Sequence, residues 1–236
     1  TTLGEMAAGV AHELNQPLTV IGTGAIFLLK RLKKDQTIAP DVALEVADEI
    51  LAQVERASRI INHLREFGRK AEVARSKIDI NQPIRGVFGL LGQQLKIRNI
   101  TAETDLAPEL PTIWADVNRL EQVFVNLVIN ARDAIEQRRA QAAGQFDGRI
   151  EVRSFVENGQ VVVTVKDNGA GIASQDKDRI LEPFFTTKEV GHGTGLGLSI
   201  SYGIVADYKG SIEVDSQLDQ GTTFRLAFPA AKEESS

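Results

Sequence analysis

Four groups of residues in this chain have types and spacings suited to chemistry on phosphate groups. The densest is a run of alternating glycines, Gly191-His192-Gly193-Thr194-Gly195-Leu196-Gly197-Leu198-Ser199. Alternating glycine lets backbone N–H groups turn toward phosphate oxygens, and Leu196 and Leu198 lead the run into an apolar helix whose N-terminus is itself an anion site. The dinucleotide fingerprint Gly-x-Gly-x-x-Gly fails in every register. The chain also lacks the Gly-Lys pair of a Walker phosphate loop. Upstream, Asp167 follows the apolar run Val161–Lys166. A carboxylate at a strand end can accept a hydrogen bond from an exocyclic amine such as that of adenine, and Gly169 and Gly171 would let the backbone pass close to a flat base. Asp-Asn-Gly is also a common turn.

The third group is a polar stripe on an apolar helix: Gln122, Asn126, Asn130 and Asp133, at spacings of four, four and three. Amide oxygens suit Mg²⁺, which keeps waters and phosphate oxygens in its shell. A solvated helix face is the plain alternative, but asparagine is a mediocre helix former and two of them one turn apart call for a reason. The fourth group is His12 with Glu13. Val10 and Leu14 lie on an apolar stripe, and two residues are about 200° of helix rotation, so His12 is expected to face away from it. Asn15 and Gln16 share its side. Glu13 could accept or orient the Nδ1 proton, leaving Nε2 as a nucleophile. The alternative is an ordinary exposed histidine. A His-Glu-x-x-His zinc site is excluded because residue 16 is glutamine. His63 and His192 read as surface residues.

These groups need elements to hold them. Residues 1–70 read as two helices. Leu3, Met6, Val10, Leu14, Leu18, Ile21, Ala25, Leu28 and Leu32 form one stripe, with Pro17 inside it expected to bend the helix. Lys33–Pro40 reads as a turn. Asp41 is a plausible N-cap for a second helix repeating Leu44, Ala47, Leu51, Val54, Ser58 and Ile61. Two such helices cannot bury their stripes alone, whereas two hairpins can pair into a four-helix bundle, so a homodimer is expected. From residue 77 to 231 strand and helix signals mix. Strands are expected at Ile78–Ile80, Ile100–Leu106, Arg149–Val156, Val161–Lys166, Ser211–Val214 and Thr222–Phe228. Helices are expected at Pro83–Ile97, from a cap at Asp116 to about Arg139, and at Leu196–Asp207. The fold class is α+β: an antiparallel helical hairpin followed by an α/β sandwich with one mixed sheet covered by helices on one face.

Composition narrows the function. A net charge of −5 without a long basic run argues against general nucleic-acid binding, and the absence of cysteine excludes disulfides and thiolate metal sites. No stretch is apolar enough to span a bilayer and the N-terminus is not a signal peptide, so a cytoplasmic fragment is expected, with membrane attachment left to sequence outside it. The chain reads as one that begins inside a larger protein.

Taken together, five segments resemble the boxes of sensor histidine kinases, in the family's order. Ala11–Leu18 is similar to the phosphoacceptor box and Asn126–Ala134 to the N box. Asp167–Ile172 and Gly191–Gly197 are similar to the two glycine boxes, with Glu182-Pro183-Phe184-Phe185-Thr186-Thr187-Lys188 similar to the F box between them. The resemblance covers essentially the whole chain. It implies a dimerisation and phosphotransfer hairpin at 1–70 and, at 77–231, an ATP-binding domain of the kind shared with gyrase and Hsp90. By the resemblance ATP binds under a lid spanning roughly 174–195. Asp167 then holds the adenine amine, Asn126 and Asn130 the Mg²⁺, and Lys188, Gly193, Gly195, Leu196 and Gly197 the phosphates. His12 attacks the γ-phosphoryl with Glu13 as base, and the phosphoryl passes to an aspartate of a response regulator. A sensor region is expected upstream. Relatives often carry Thr or Asn four residues after the histidine, where it is thought to serve dephosphorylation of the regulator; Gln16 departs from this. A nucleotide-binding scaffold without turnover and an ATPase without histidine transfer are the competing readings.

Overall fold

The computed structural model describes residues 2–34, 37–68, 75–142, 146–188 and 195–231, with the backbone course alone for 2–13, 59 and 62–68. The chain divides into two compact units, Thr1–Ala71 with Pro183–Leu196, and Glu72–Glu182 with Gly197–Ser236.

The first unit is built on a helical hairpin of α1 (Thr2–Lys33) and α2 (Pro40–Gly68). α1 continues through Pro17, which is buried. α2 opens at Pro40, a first-turn position where the missing N–H costs nothing. Asp41 is therefore not the N-cap that the sequence suggested. Ala43 N–H already bonds Ala39 C=O at 3.0 Å, and Asp41 sits in the first turn, where its charge favours the helix dipole. The helices pass closely at Gly24, where a Cβ would meet Ile50 and Val46 at 3.1–3.3 Å. Leu18, Leu32, Leu44, Leu51, Val54 and Ile61 remain exposed in the single chain, Leu44 at 64%.

The second unit layers α3 (Asn81–Ile97), α4 (Val117–Gln141) and α5 (Gly197–Asp207) on one face of a mixed five-stranded sheet. Its strands are β2 (Ile100–Leu106), β4 (Gly148–Glu157), β5 (Gln160–Asp167), β6 (Ser211–Gln217) and β7 (Gly221–Pro229), in the order β2-β4-β5-β7-β6. The β2–β4 pair alone is parallel, joined across α4 as a parallel pair must be. β4 alternates inward Ile150, Val152 and Ser154 with outward Arg149 and Arg153, so the core lies between sheet and helices and the other face is solvated. Asn158-Gly159, both at positive φ, close the β4–β5 hairpin.

Two expectations change. The first short strand, β1, spans Ser76–Ile78, two residues earlier than expected. It pairs with β3 (Ile113–Ala115), which the sequence did not announce, in a separate two-stranded sheet. The second unit therefore holds a small second sheet besides the mixed one.

Candidate nucleotide-binding site

α4 organises the site. Asp116 caps it, accepting from Arg119 N–H at 3.0 Å, as the sequence indicated. Leu120, Val123, Phe124, Leu127, Val128, Ala131 and Ile135 are buried against the sheet and the adjoining helices. That packing fixes the helix rotation and leaves Gln122, Asn126, Asn130 and Asp133 half-buried along one edge. Asp133 is paired with its neighbour Arg132 at 2.6 Å.

At one end of this edge Asn126 meets the start of α5. Its Nδ2 donates to Gly197 C=O at 3.1 Å and to Ser201 Oγ at 3.3 Å, while Ser201 Oγ donates to the same carbonyl at 2.9 Å. With its amide nitrogen so engaged, Asn126 has its oxygen as the atom suited to a cation. Gly197 opens α5, an eleven-residue helix whose N-terminus carries the anion-attracting N–H groups. The described residues contain no cluster of three or more His, Cys, Asp or Glu able to hold a metal. The donors on offer are amide oxygens, which fit Mg²⁺ completed by phosphate oxygens and water.

One turn beyond Asn130, the loop after β5 is pinned to α4. Ala170 N–H bonds Ala134 C=O at 3.0 Å, and a Cβ on Gly169 would lie 2.6–2.7 Å from Ala134 atoms. Gly171, at φ +70°, has no room for a Cβ because Gln217 C=O occupies the space. Gly169 and Gly171 are required by contact of the chain with itself, on α4 and on the β6–β7 turn.

Asp167 ends β5 and is 5% exposed. It accepts from Gly169 N–H at 2.7 Å and from the backbone N–H of Thr222. Burial dominates over those bonds and raises its pKa from 3.8 to about 6. A carboxyl so placed is poised to change protonation near neutrality and, when ionised, to accept from an amine.

Sequence reasoning missed the brace behind this loop. Ser216, 4% exposed, accepts from Ile172 N–H at 2.9 Å, donates to Gly221 C=O at 3.0 Å and lies 2.9 Å from Thr222 Oγ1. Asp219 N–H adds a bond to Ala170 C=O at 2.7 Å. The available signal was a serine within a strand followed closely by Gly221, which stands at φ +107° where a Cβ would overlap Asp167 C=O. Asn168 is a further anchor, accepting from Arg149 N–H and donating to Asp147 C=O. A cavity of about 1180 Å³ lined by Phe88, Lys96, Arg139, Phe146 and Arg149 includes none of Asn126, Asn130, Asp133 and Asp167.

The remaining site residues lie in the first unit. Phe184 N–H bonds Gly195 C=O at 3.0 Å, closing the segment around Lys188. Gly195, at φ +64°, again has no room for a Cβ, here against the Phe184 backbone. Leu196 is buried and Lys188 half-buried. Gly193, with Gly191 and His192, lies outside the described residues. The backbone of α1 places His12 and Glu13 side by side within a continuous helix, and their side chains, with that of His63 in α2, lie outside the description. The expected outward direction of His12 lies outside it too.

Residues 115–232 match the family described as Histidine kinase-, DNA gyrase B-, and HSP90-like ATPase, and residues 2–72 match the His Kinase A (phospho-acceptor) domain. The chain belongs to the histidine kinases of this ATPase family, carrying the phosphoacceptor and ATP-binding domains in that order. It is 36% identical, over 98% of its length, to the two-component sensor PprA of Pseudomonas aeruginosa, covering 24% of that protein. It is 39% identical over 95% to the C4-dicarboxylate transport sensor protein DctB of Rhizobium meliloti, covering 34%. The chain thus spans between a quarter and about a third of these curated relatives. Among solved structures, histidine kinase ThkA in complex with response regulator protein TrrA is similar over 97% of this chain and 62% of that one, with 29% identity and a TM-score of 0.74.

Proposed function

We propose that this chain autophosphorylates His12 from ATP and passes the phosphoryl group to an aspartate of a response regulator, as the catalytic core of a longer sensor. The working boundaries are 1–70 for the dimerising phosphotransfer hairpin and 77–231 for the ATP-binding domain. The observation that carries the reading is α4, whose one polar edge is tied at Asn126 to the start of α5 and at Ala134 to the loop of Asp167. That ties a purine acceptor, two amide ligands and a helix N-terminus to one rigid element, an arrangement suited to a triphosphate lying along it.

In this reading the Asp167 carboxylate accepts from the adenine amine. Asn126 and Asn130 hold Mg²⁺ through their amide oxygens, and the ion, when bound, neutralises charge on the phosphates. Lys188 and the backbone at Gly193, Gly195, Leu196 and Gly197 face the phosphates. Nε2 of His12 attacks the γ-phosphorus as the bond to the bridging oxygen breaks and ADP leaves with the electron pair. The Nδ1 proton of the imidazolium so formed passes to Glu13. Such a transfer depends on in-line placement and charge neutralisation. The complex of ThkA with its response regulator supports a receiver domain as the acceptor partner. The exposed leucines of the hairpin support a second copy of this chain as the other. No helix among the described residues is long and apolar enough to cross a membrane.

The test pairs two variants. Given γ-labelled ATP, the parent chain acquires acid-labile, alkali-stable label. His12→Gln abolishes it with nucleotide affinity retained, and Asp167→Asn abolishes it with affinity lost. Label that persists in His12→Gln refutes the acceptor. Steady phosphate release without label favours an ATPase instead.

A further inference from the structure

Ser201 is fully buried in α5, and its hydroxyl belongs to a closed set of polar groups shared with Gly197 and Asn126. Its Oγ lies 2.9 Å from Gly197 C=O, one turn back in the helix. A carbonyl can only accept, so the hydroxyl proton is committed there and Oγ keeps lone pairs alone for other partners. Asn126 Nδ2 lies 3.3 Å from that oxygen and 3.1 Å from the same Gly197 carbonyl. Both neighbours accept, so chemistry requires nitrogen at this end of the Asn126 amide and oxygen at the other. The amide lies against the first residue of α5: a Cβ added to Gly197 would stand 3.6 Å from Asn126 Cγ and 3.8 Å from both Nδ2 and Oδ1. Oδ1 is thereby held beside the N-terminus of α5, and none of the described residues donates to it.

We propose that Ser201 is a positioning residue for Asn126 as a magnesium ligand. An amide nitrogen carries two N–H groups. The Gly197 carbonyl takes one and Ser201 Oγ the other, so no donor of Asn126 is left to face the phosphates and its oxygen is what the site receives. Without the hydroxyl, one N–H would stand unpaired in a buried place, and the amide would gain by turning that N–H toward the site, where a donor opposes a cation. The core does not itself demand serine here, because an apolar side chain of similar size would fill a buried helix position equally well. The inference rests on Asn126 as a metal ligand.

The test is calorimetric titration with a non-hydrolysable ATP analogue, with and without excess Mg²⁺, so that no turnover enters. The ratio of the two affinities isolates what the metal adds. In Ser201→Ala the ratio should fall by roughly threefold to tenfold, the size of one hydrogen bond, with the metal-free affinity unchanged. Asn126→Ala should lower the ratio at least as far, and Ser201→Ala placed on Asn126→Ala should cost nothing more. Ser201→Thr keeps the hydroxyl and should keep most of the parental ratio. A purely structural Ser201 predicts a loss that is equal with and without metal, or a lower thermal midpoint at the parental ratio, and either result overturns the inference. A ratio that falls in Asn126→Ala and stays parental in Ser201→Ala refutes the role of Ser201 and leaves the ligand in place. A parental ratio in Asn126→Ala refutes the ligand itself and this inference with it.

Discussion

At the scale of single residues, Asp167 carries the most specific prediction. Its folded pKa is about 6, raised by burial above the ordinary 3.8. The native state therefore holds this proton more tightly than the unfolded chain. The resulting stability is fully present below about pH 4 and is lost as pH rises through 6. Nucleotide affinity follows the opposite course, because only the carboxylate accepts from adenine. Calorimetric titration with ATP from pH 5 to 8 should give a plateau above 7 and a fall approaching tenfold per unit well below 6, with the adenine-specific step absent in Asp167→Asn. A profile identical in parent and Asp167→Asn would remove the residue from the site. Asn130→Ala should cut autophosphorylation at least tenfold at saturating ATP while leaving the circular dichroism spectrum unchanged. An undiminished rate would remove Asn130 as a metal ligand. Asp167 was legible in the sequence because a carboxylate ending a run of valines is a local pattern. The reasons for Gly169 and Gly171 were not legible. The atoms they make room for, Ala134 and Gln217 C=O, lie 35 and 46 positions away in the chain.

At the scale of elements, the β6–β7 turn acts as a brace for the loop that follows Asp167. Ser216→Ala would leave the Ile172 N–H and part of the Gly221 carbonyl's bonding unmet in a buried place, at a cost of about 1–3 kcal/mol. Urea denaturation should record that loss, and the KM for ATP should rise several-fold while kcat at saturation changes little. A loss of kcat with KM unchanged would contradict the brace. Asp116→Ala is the contrasting case. It removes the α4 cap, costs about 1 kcal/mol, and should leave nucleotide affinity alone. The Asp116 cap, the Asn158-Gly159 turn and the bounds of β2 could be read directly because each depends on neighbours in sequence. β3 could not, since its three residues become a strand only by pairing with β1 some 37 positions earlier. The hydrogen bond from Arg56 to Gln16 was equally hidden: a charged residue in a coiled-coil repeat reads as solvated, and its partner is 40 residues away on another helix.

At the scale of the whole molecule, the hairpin of one copy leaves large apolar side chains exposed. Leu18, Leu32, Leu44, Leu51 and Ile61 are each more than half exposed, and each leucine moved out of water is worth about 1.5–3 kcal/mol. Sedimentation should find the parent chain dimeric, with Leu51→Glu and Leu44→Glu together shifting it toward monomer. Monomeric parent at micromolar concentration would contradict the bundle. In the proposed function the acceptor lies in α1 and the nucleotide elements mostly in the second unit, and the γ-phosphoryl leaves one and arrives at the other. The most direct measurement is to incubate the chain with ATP labelled at the γ position, or at the α position as control, digest it under alkaline conditions and map the label. The account predicts γ label alone, on the peptide containing His12. Label on any other residue, or only on released inorganic phosphate, would contradict it.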